Sequence, residues 1–234
     1  MDTATSKLSQ SFECKYCKKS YRRESTLAAH ICEPKRRLQQ EKETGVQLGL
    51  QAYIRFYELT QGSAKTKTYT TFTESNYYQA FVKFGRHMVK IRAVNPKAFI
   101  EYVIRENKKL DHWTKDKIYE DYLYNYVRKE NAQDALERAL KEMQRYADEH
   151  LDGRFADYFR DGSANKICQN ISHGRMSPWV IFQCDSGTDF LANLNEEQLG
   201  IIMPWIDPEH WQHRFRDYVA DVEWTKEILS KAGL

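Results

Sequence analysis

Four residues, Cys14, Cys17, His30 and Cys32, constrain this chain of 234 residues more than any other feature. They fall in the spacing Cys-x2-Cys-x12-His-x-Cys, and three of the chain's five cysteines sit within 19 residues of each other. Two cysteines separated by two residues fit a tight knuckle between short strands, where both thiolates can reach one tetrahedral Zn²⁺ at about 2.3 Å. An imidazole and a third thiolate complete a four-ligand set. A disulfide framework is the competing use of clustered cysteines. The polar start MDTATSKLSQ has no apolar signal stretch, so a reducing, cytoplasmic setting is expected, and there thiols bind metals.

Around these ligands the segment reads Phe12-x-Cys14-x2-Cys17-x3-Tyr21-x5-Leu27-x2-His30-x-Cys32. Phe12, Tyr21 and Leu27 are the sizeable apolar side chains placed to form a core. A module this small cannot fold on that core alone, so metal ligation is expected to supply most of its folding free energy, roughly 10–16 kcal/mol of apparent binding in comparable peptides. A helix is expected from about Glu24, with His30 on it. The aromatic, cysteine, leucine and histidine spacing resembles the two-cysteine, two-histidine zinc finger, in its variant with cysteine as last ligand. That resemblance implies a ββα fold, a zinc ion on Cys14, Cys17, His30 and Cys32, and docking on nucleic acid. One departure matters. The family separates its last two ligands by three to five residues, and here only Ile31 lies between them. Residues two apart on an α-helix point about 200° away from each other, so the helix must unwind at Ile31 for Cys32 to ligate.

Docking in the manner of that family would turn Arg23, Ser25, Thr26 and Ala29 toward a major groove. Arg23 can pair with a guanine edge, whereas Ala29 offers a methyl contact only. One finger covers about three base pairs, too few to choose a site unaided. Charge adds a second argument. The net charge of +3 is unevenly distributed: through Gly45 there are 10 Lys/Arg against 6 Asp/Glu, leaving 26 against 27 in the remainder. Lys15, Lys18, Lys19, Arg22, Arg23, Lys35, Arg36 and Arg37 concentrate around the finger and suit phosphate contacts. In the body, Lys83, Arg86 and Lys90 fall at i, i+3 and i+7, with His87 alongside, as a second phosphate-binding face.

The organisation expected is a loose tail over 1–11, the finger over 12–33, a basic, charged helical linker over 34–45 and an all-α domain over 46–234 that can subdivide near 150–162. Pro34 suits a helix start and Gly45 a helix stop. Apolar residues recur at helical spacing at Val46, Leu50, Tyr53, Ile54 and Tyr57, and again at Tyr77, Phe81, Phe84, Met88 and Ile91. Cap signals stand at Asn95-Pro96, Thr114, Asn131, Ser163, Ser177-Pro178, Asn195 with Gln198, and Asp207-Pro208. No stretch outside the finger alternates as a half-buried strand does. The fold class expected is therefore mainly α, a ββα finger followed by a helical bundle or orthogonal array. No apolar run is long enough to span a bilayer.

Aromatic residues and the five tryptophans fall on apolar faces and read as core or rim. His173, Arg175, Ser177, Cys184 and Asp185 mix catalytic residue types in one stretch, but Ser177 reads better as a helix cap and Cys184 as a small core residue. His210 and His213 lack a neighbouring cysteine to complete a metal site. Phosphate-cradling glycine loops, dinucleotide fingerprints and HExxH are absent from the sequence. The function expected is a non-enzymatic, zinc-binding accessory protein for nucleic acid, DNA before RNA. A finger that docks on a protein partner such as a polymerase subunit is the alternative, and an enzyme acting on nucleic acid comes third. The whole chain also resembles proteins of large tailed bacteriophages that place such a finger before a helical body. This implies a role in phage-type transcription or replication in the host cytoplasm, with no established activity for the body.

Overall fold

The computed structural model describes residues 11–62, 67–150 and 153–234. Of the described residues 72% are helical, with a tiny two-stranded hairpin near the N-terminus, so the mainly α class holds. Two compact units divide it, Met1–Lys115 and Asp116–Leu234. The loose tail expected over 1–11 lies, but for Ser11, outside the described residues, as do 151 and 152 of the 150–162 subdivision. No helix among the described residues is long and apolar enough to cross a membrane.

The first unit runs β1 (Phe12–Glu13), β2 (Ser20–Tyr21), α1 (Glu24–Ala29), α2 (Glu33–Gln39), α3 (Thr44–Gln61), α4 (Tyr69–Thr73), α5 (Tyr78–Ile91) and α6 (Pro96–Arg105), then a 3-10 turn at Leu110–His112. The stripe foreseen on α5 is its core face: Phe81, Phe84 and Met88 are buried, while Tyr77, at the N-cap, is exposed. Trp113 closes this core. Its ring meets Phe56, Phe81 and Phe84 edge-on, at centroid distances of 6.1, 5.8 and 5.0 Å, and its indole N–H donates to the Lys108 carbonyl. Asn95 caps α6 from a left-handed conformation by accepting from the Ala98 N–H.

Gly45 does not stop a helix. Helix α2 ends at Gln39, and Gly45 lies buried in the first turn of α3. The reason is the approach of α3 to α5: a Cβ on Gly85 would strike the Gly45 carbonyl oxygen and lie 2.5 Å from the Gly49 nitrogen. Glycine is required there because backbone meets backbone, a demand set 40 residues away in sequence.

The second unit comprises α7 (Asp116–Lys129), α8 (Ala132–Glu149), a 3-10 turn at Phe155–Asp157, α9 (Tyr158–Asp161), α10 (Ala164–Ser172), α11 (Pro178–Ile181), α12 (Asp185–Ala192), α13 (Glu196–Ile206), α14 (Pro208–Asp217) and α15 (Val219–Lys231). Side chains cap as foreseen at Asn131, Ser177, Asn195 and Asp207, with a full capping box between Asn195 and Gln198. Ser163 precedes α10 but its hydroxyl makes no cap bond. Leu136, Met143, Phe159, Ile167, Ile171, Val180, Ile202 and Leu229 fill the core. One buried ion pair ties α8 to the end of α7. The Glu130 carboxylate, fully shielded, accepts two bonds of 2.6 Å from Arg138 and one of 3.1 Å from the Ser177 hydroxyl, while Arg138 also donates to the Gly174 carbonyl.

Two tests follow from this packing. Gly85→Ala should destabilise the first unit by about 2–4 kcal/mol, whereas Gly200→Ala, in an open position inside α13, should stabilise by about 0.5–1 kcal/mol in denaturant melts. Equal effects would contradict the assigned contact. Glu130→Ala leaves the Arg138 guanidinium without its carboxylate and should destabilise by about 3–5 kcal/mol in the same melts.

Candidate metal centre

Strands β1 and β2 pair antiparallel with Phe12 opposite Tyr21 and Glu13 opposite Ser20. The turn between them is a knuckle: the Cys14 N–H donates to the Lys19 carbonyl at 2.9 Å and the Lys18 N–H to the Cys14 carbonyl at 2.8 Å. Lys18 takes a φ of 60° to close it. Tight closure turns the Cys17 and Tyr16 N–H groups on the Cys14 sulfur, and they hold that thiol down at about 7 against the opposing effect of burial. The Lys19 N–H acts likewise on Cys17, but burial and the neighbouring thiols of Cys14 and Cys32 outweigh it and raise that group.

Helix α1 ends at Ala29, earlier than the sequence suggests. His30, expected on the helix, follows it in extended backbone at φ −71°, ψ 125°, and Cys32 is extended at φ −99°, ψ 164°. This resolves the short spacing. Alternate residues of an extended chain share a side, so His30 and Cys32 face the knuckle together while Ile31, 59% exposed, points away. The Tyr21 ring packs on the His30 imidazole at a centroid distance of 4.9 Å and orients it.

The four ligand atoms lie within 4.8 Å of one another. Cys14 Sγ is 3.9 Å from Cys32 Sγ, and Cys17 Sγ is 3.2 Å from His30 Nε2. A tetrahedral ion with thiolates at about 2.3 Å separates two sulfurs by about 3.8 Å, so the sulfur pair already spans one edge of such a polyhedron. Cys14 is buried and the other three ligands are half-buried. The group can hold a metal ion. Three sulfurs and one imidazole form a soft, closed set, which fits zinc in a structural role.

The basic residues singled out by sequence divide into two groups. Lys15, Lys18 and Lys19 are exposed on the knuckle and Arg22 and Arg23 between β2 and α1, with Ser25 and Thr26 exposed at the start of α1. Arg36, Lys83 and Lys90 are exposed on α2 and α5, Arg36 with a loose 3.5 Å contact to Glu33. The others are held more closely by groups of the protein itself. Lys35 donates to the His30 carbonyl at 3.1 Å. Arg37 pairs with Glu33 at 3.1 Å, donates to the Thr73 carbonyl at 2.7 Å and stacks over the Tyr78 ring at 4.5 Å. Arg86 makes two bonds of 2.7 Å to the Glu43 carboxylate. Both carboxylates are held below their ordinary range, by the hydrogen bond from Arg37 and from Arg86 respectively.

Glu33, Tyr69 and Gln79 were not singled out by sequence, though they fasten α2: Gln79 donates to Glu33 at 2.7 Å, and the Tyr69 hydroxyl donates to the Arg37 carbonyl. The i, i+4 spacing of Glu33 and Arg37 was the available signal. In the second unit, the Ser177 hydroxyl is engaged by Glu130 and the Trp179 N–H, and Cys184 packs its thiol on the Val180 carbonyl at 3.3 Å. No family model, curated protein or solved structure matches this chain.

The ligand set makes a direct prediction. Purified protein should carry one zinc per chain by elemental analysis; Cys14→Ser should lose it, while Cys168→Ser, a substitution in the core of the second unit, should retain it. Retention of full zinc by Cys14→Ser would exclude Cys14 as a ligand.

Proposed function

We propose that this chain is a zinc-binding accessory protein for nucleic acid, with duplex DNA its favoured ligand, in a process such as phage-type transcription or replication. The observation that carries the reading is the placement of five exposed cations, Lys15, Lys18, Lys19, Arg22 and Arg23, on a scaffold that four metal ligands fix. Phosphate contacts of this kind set position and affinity without reading bases. Helix α1 is six residues long, and Ala29 is its last residue, so few side chains reach a groove floor. The reading is thus a phosphate grip with little sequence preference. Arg36, Lys83 and Lys90 extend it as exposed cations, whereas Arg37 and Arg86 are left out because their guanidinium groups are chelated within the protein.

A protein-docking finger is the second reading. Ile31, 59% exposed between two of the candidate metal ligands, supports it as an apolar contact point, with Leu38 also exposed on α2.

Fluorescence anisotropy with duplex DNA and with RNA over a salt series separates these readings. Each phosphate neutralised contributes about −0.9 to the slope of log K against log salt on duplex DNA. Replacing Lys15, Lys19 and Arg22 together by alanine should therefore flatten the slope by about 2–3, and Arg86→Ala should leave it unchanged. Binding that is absent, or insensitive to salt, would refute the nucleic-acid reading and leave the protein partner.

A further inference from the structure

In the finger family that this segment resembles, the last two ligands lie three to five residues apart, a spacing that lets them share one face of a helix. Here α1 stops at Ala29, and His30 and Cys32 both have extended backbone; the last bond of α1 runs from the His30 N–H to the Leu27 carbonyl at 3.1 Å, and the chain beyond it leaves the helix. Something else must hold Cys32 in place. Cys32 is itself the N-cap of α2: its carbonyl accepts the first helical bond, from the Arg36 N–H at 2.9 Å. The position of the thiolate therefore depends on where α2 sits.

That helix is fastened at both ends. Near its start, Glu33 accepts from Gln79 at the beginning of α5. Toward its end, the Arg37 guanidinium bridges Glu33, the Thr73 carbonyl at the end of α4 and the face of Tyr78, and the Arg37 carbonyl accepts from the Tyr69 hydroxyl. Lys35 reaches back to the carbonyl of the ligand His30. Arg37 is only 22% exposed in its side chain, against 57% for Arg36 beside it, whose contact with Glu33 is a looser 3.5 Å.

We propose that Arg37 is a positioning residue for the metal centre: by docking α2 on α4 and α5 it fixes Cys32, so that metal affinity and the docking of α2 are thermodynamically coupled. The proposal rests on the metal reading of the four-ligand cluster and is independent of the nucleic-acid reading. Lys35 and Arg37, which their charge alone marks as phosphate contacts, here act on the ligand segment. Outer partners that orient metal ligands are worth about 10–100-fold in affinity in well-studied sites. Coupling is also reciprocal, so zinc must tighten the docking of α2 by the same factor by which docking tightens zinc.

The test uses the full chain. Zinc affinity is measured by competition with a chromophoric chelator for wild type, Arg37→Ala, Tyr69→Phe and the control Arg36→Ala. Arg37→Ala should bind zinc about 10–100-fold more weakly, still at one per chain, Tyr69→Phe should weaken it in the same direction, and Arg36→Ala should stay within about twofold. A role confined to stability would lower the melting temperature of the metal-free protein and leave zinc affinity alone. The second measurement is hydrogen exchange in wild type, which needs no variant to fold: amides of α2 and α4 should exchange more slowly with zinc than after chelation. Unchanged affinity in Arg37→Ala, or equal exchange with and without zinc, would overturn the coupling while leaving the metal site standing. Failure of the wild type to take up zinc would remove both.

Discussion

Two ligands separated by a single residue can share an ion only where the backbone between them is extended. On a helix the same spacing sends them to nearly opposite faces. The first unit is arranged around this constraint. Helix α1 gives way at His30, Ile31 is turned outward, and Cys32 opens a new helix instead of closing the old one. The knuckle at Cys14 and Cys17 is the rigid half of the site, closed by its own backbone bonds. The half that carries His30 and Cys32 takes its rigidity from contacts made by α2 with α4 and α5. The candidate metal centre thus draws on the hairpin and on the helices that follow it.

Charge has two uses in this chain, and only the surroundings tell them apart. The cations of the knuckle are exposed and loosely held, Lys18 by a 3.9 Å contact to Glu13 and Lys15 over the Tyr16 ring at 5.0 Å, and they define the positive surface. Arg37 and Arg86 instead hold segments of the first unit together through Glu33 and Glu43. In the second unit Arg138, itself 18% exposed, does the same for the fully shielded Glu130, whose carboxylate is stranded if Arg138 is lost.

Most of the helical architecture was legible in sequence because its signals are local. The caps at Asn95, Asn131, Ser177, Asn195 and Asp207 act within three residues, and the stripe on α5 repeats within two turns. The grouping of Cys14, Cys17, His30 and Cys32 was legible from their spacing within 19 residues. What escaped depends on residues distant in the chain. Gly45 reads as a helix stop until Gly85 is seen against it. Arg37 reads as a phosphate contact until Thr73 and Tyr78 are placed beside it. The early end of α1 was half legible: Pro34 and the short ligand spacing require an unwinding, but they do not say that it begins at His30.

The central claim is that Cys14, Cys17, His30 and Cys32 together bind one zinc ion. X-ray absorption at the zinc edge of the full chain tests it most directly. Three sulfur ligands at about 2.3 Å and one nitrogen ligand at about 2.0–2.1 Å are expected. Two sulfurs with two lighter ligands would place one of the three cysteines outside the site and contradict the four-ligand set.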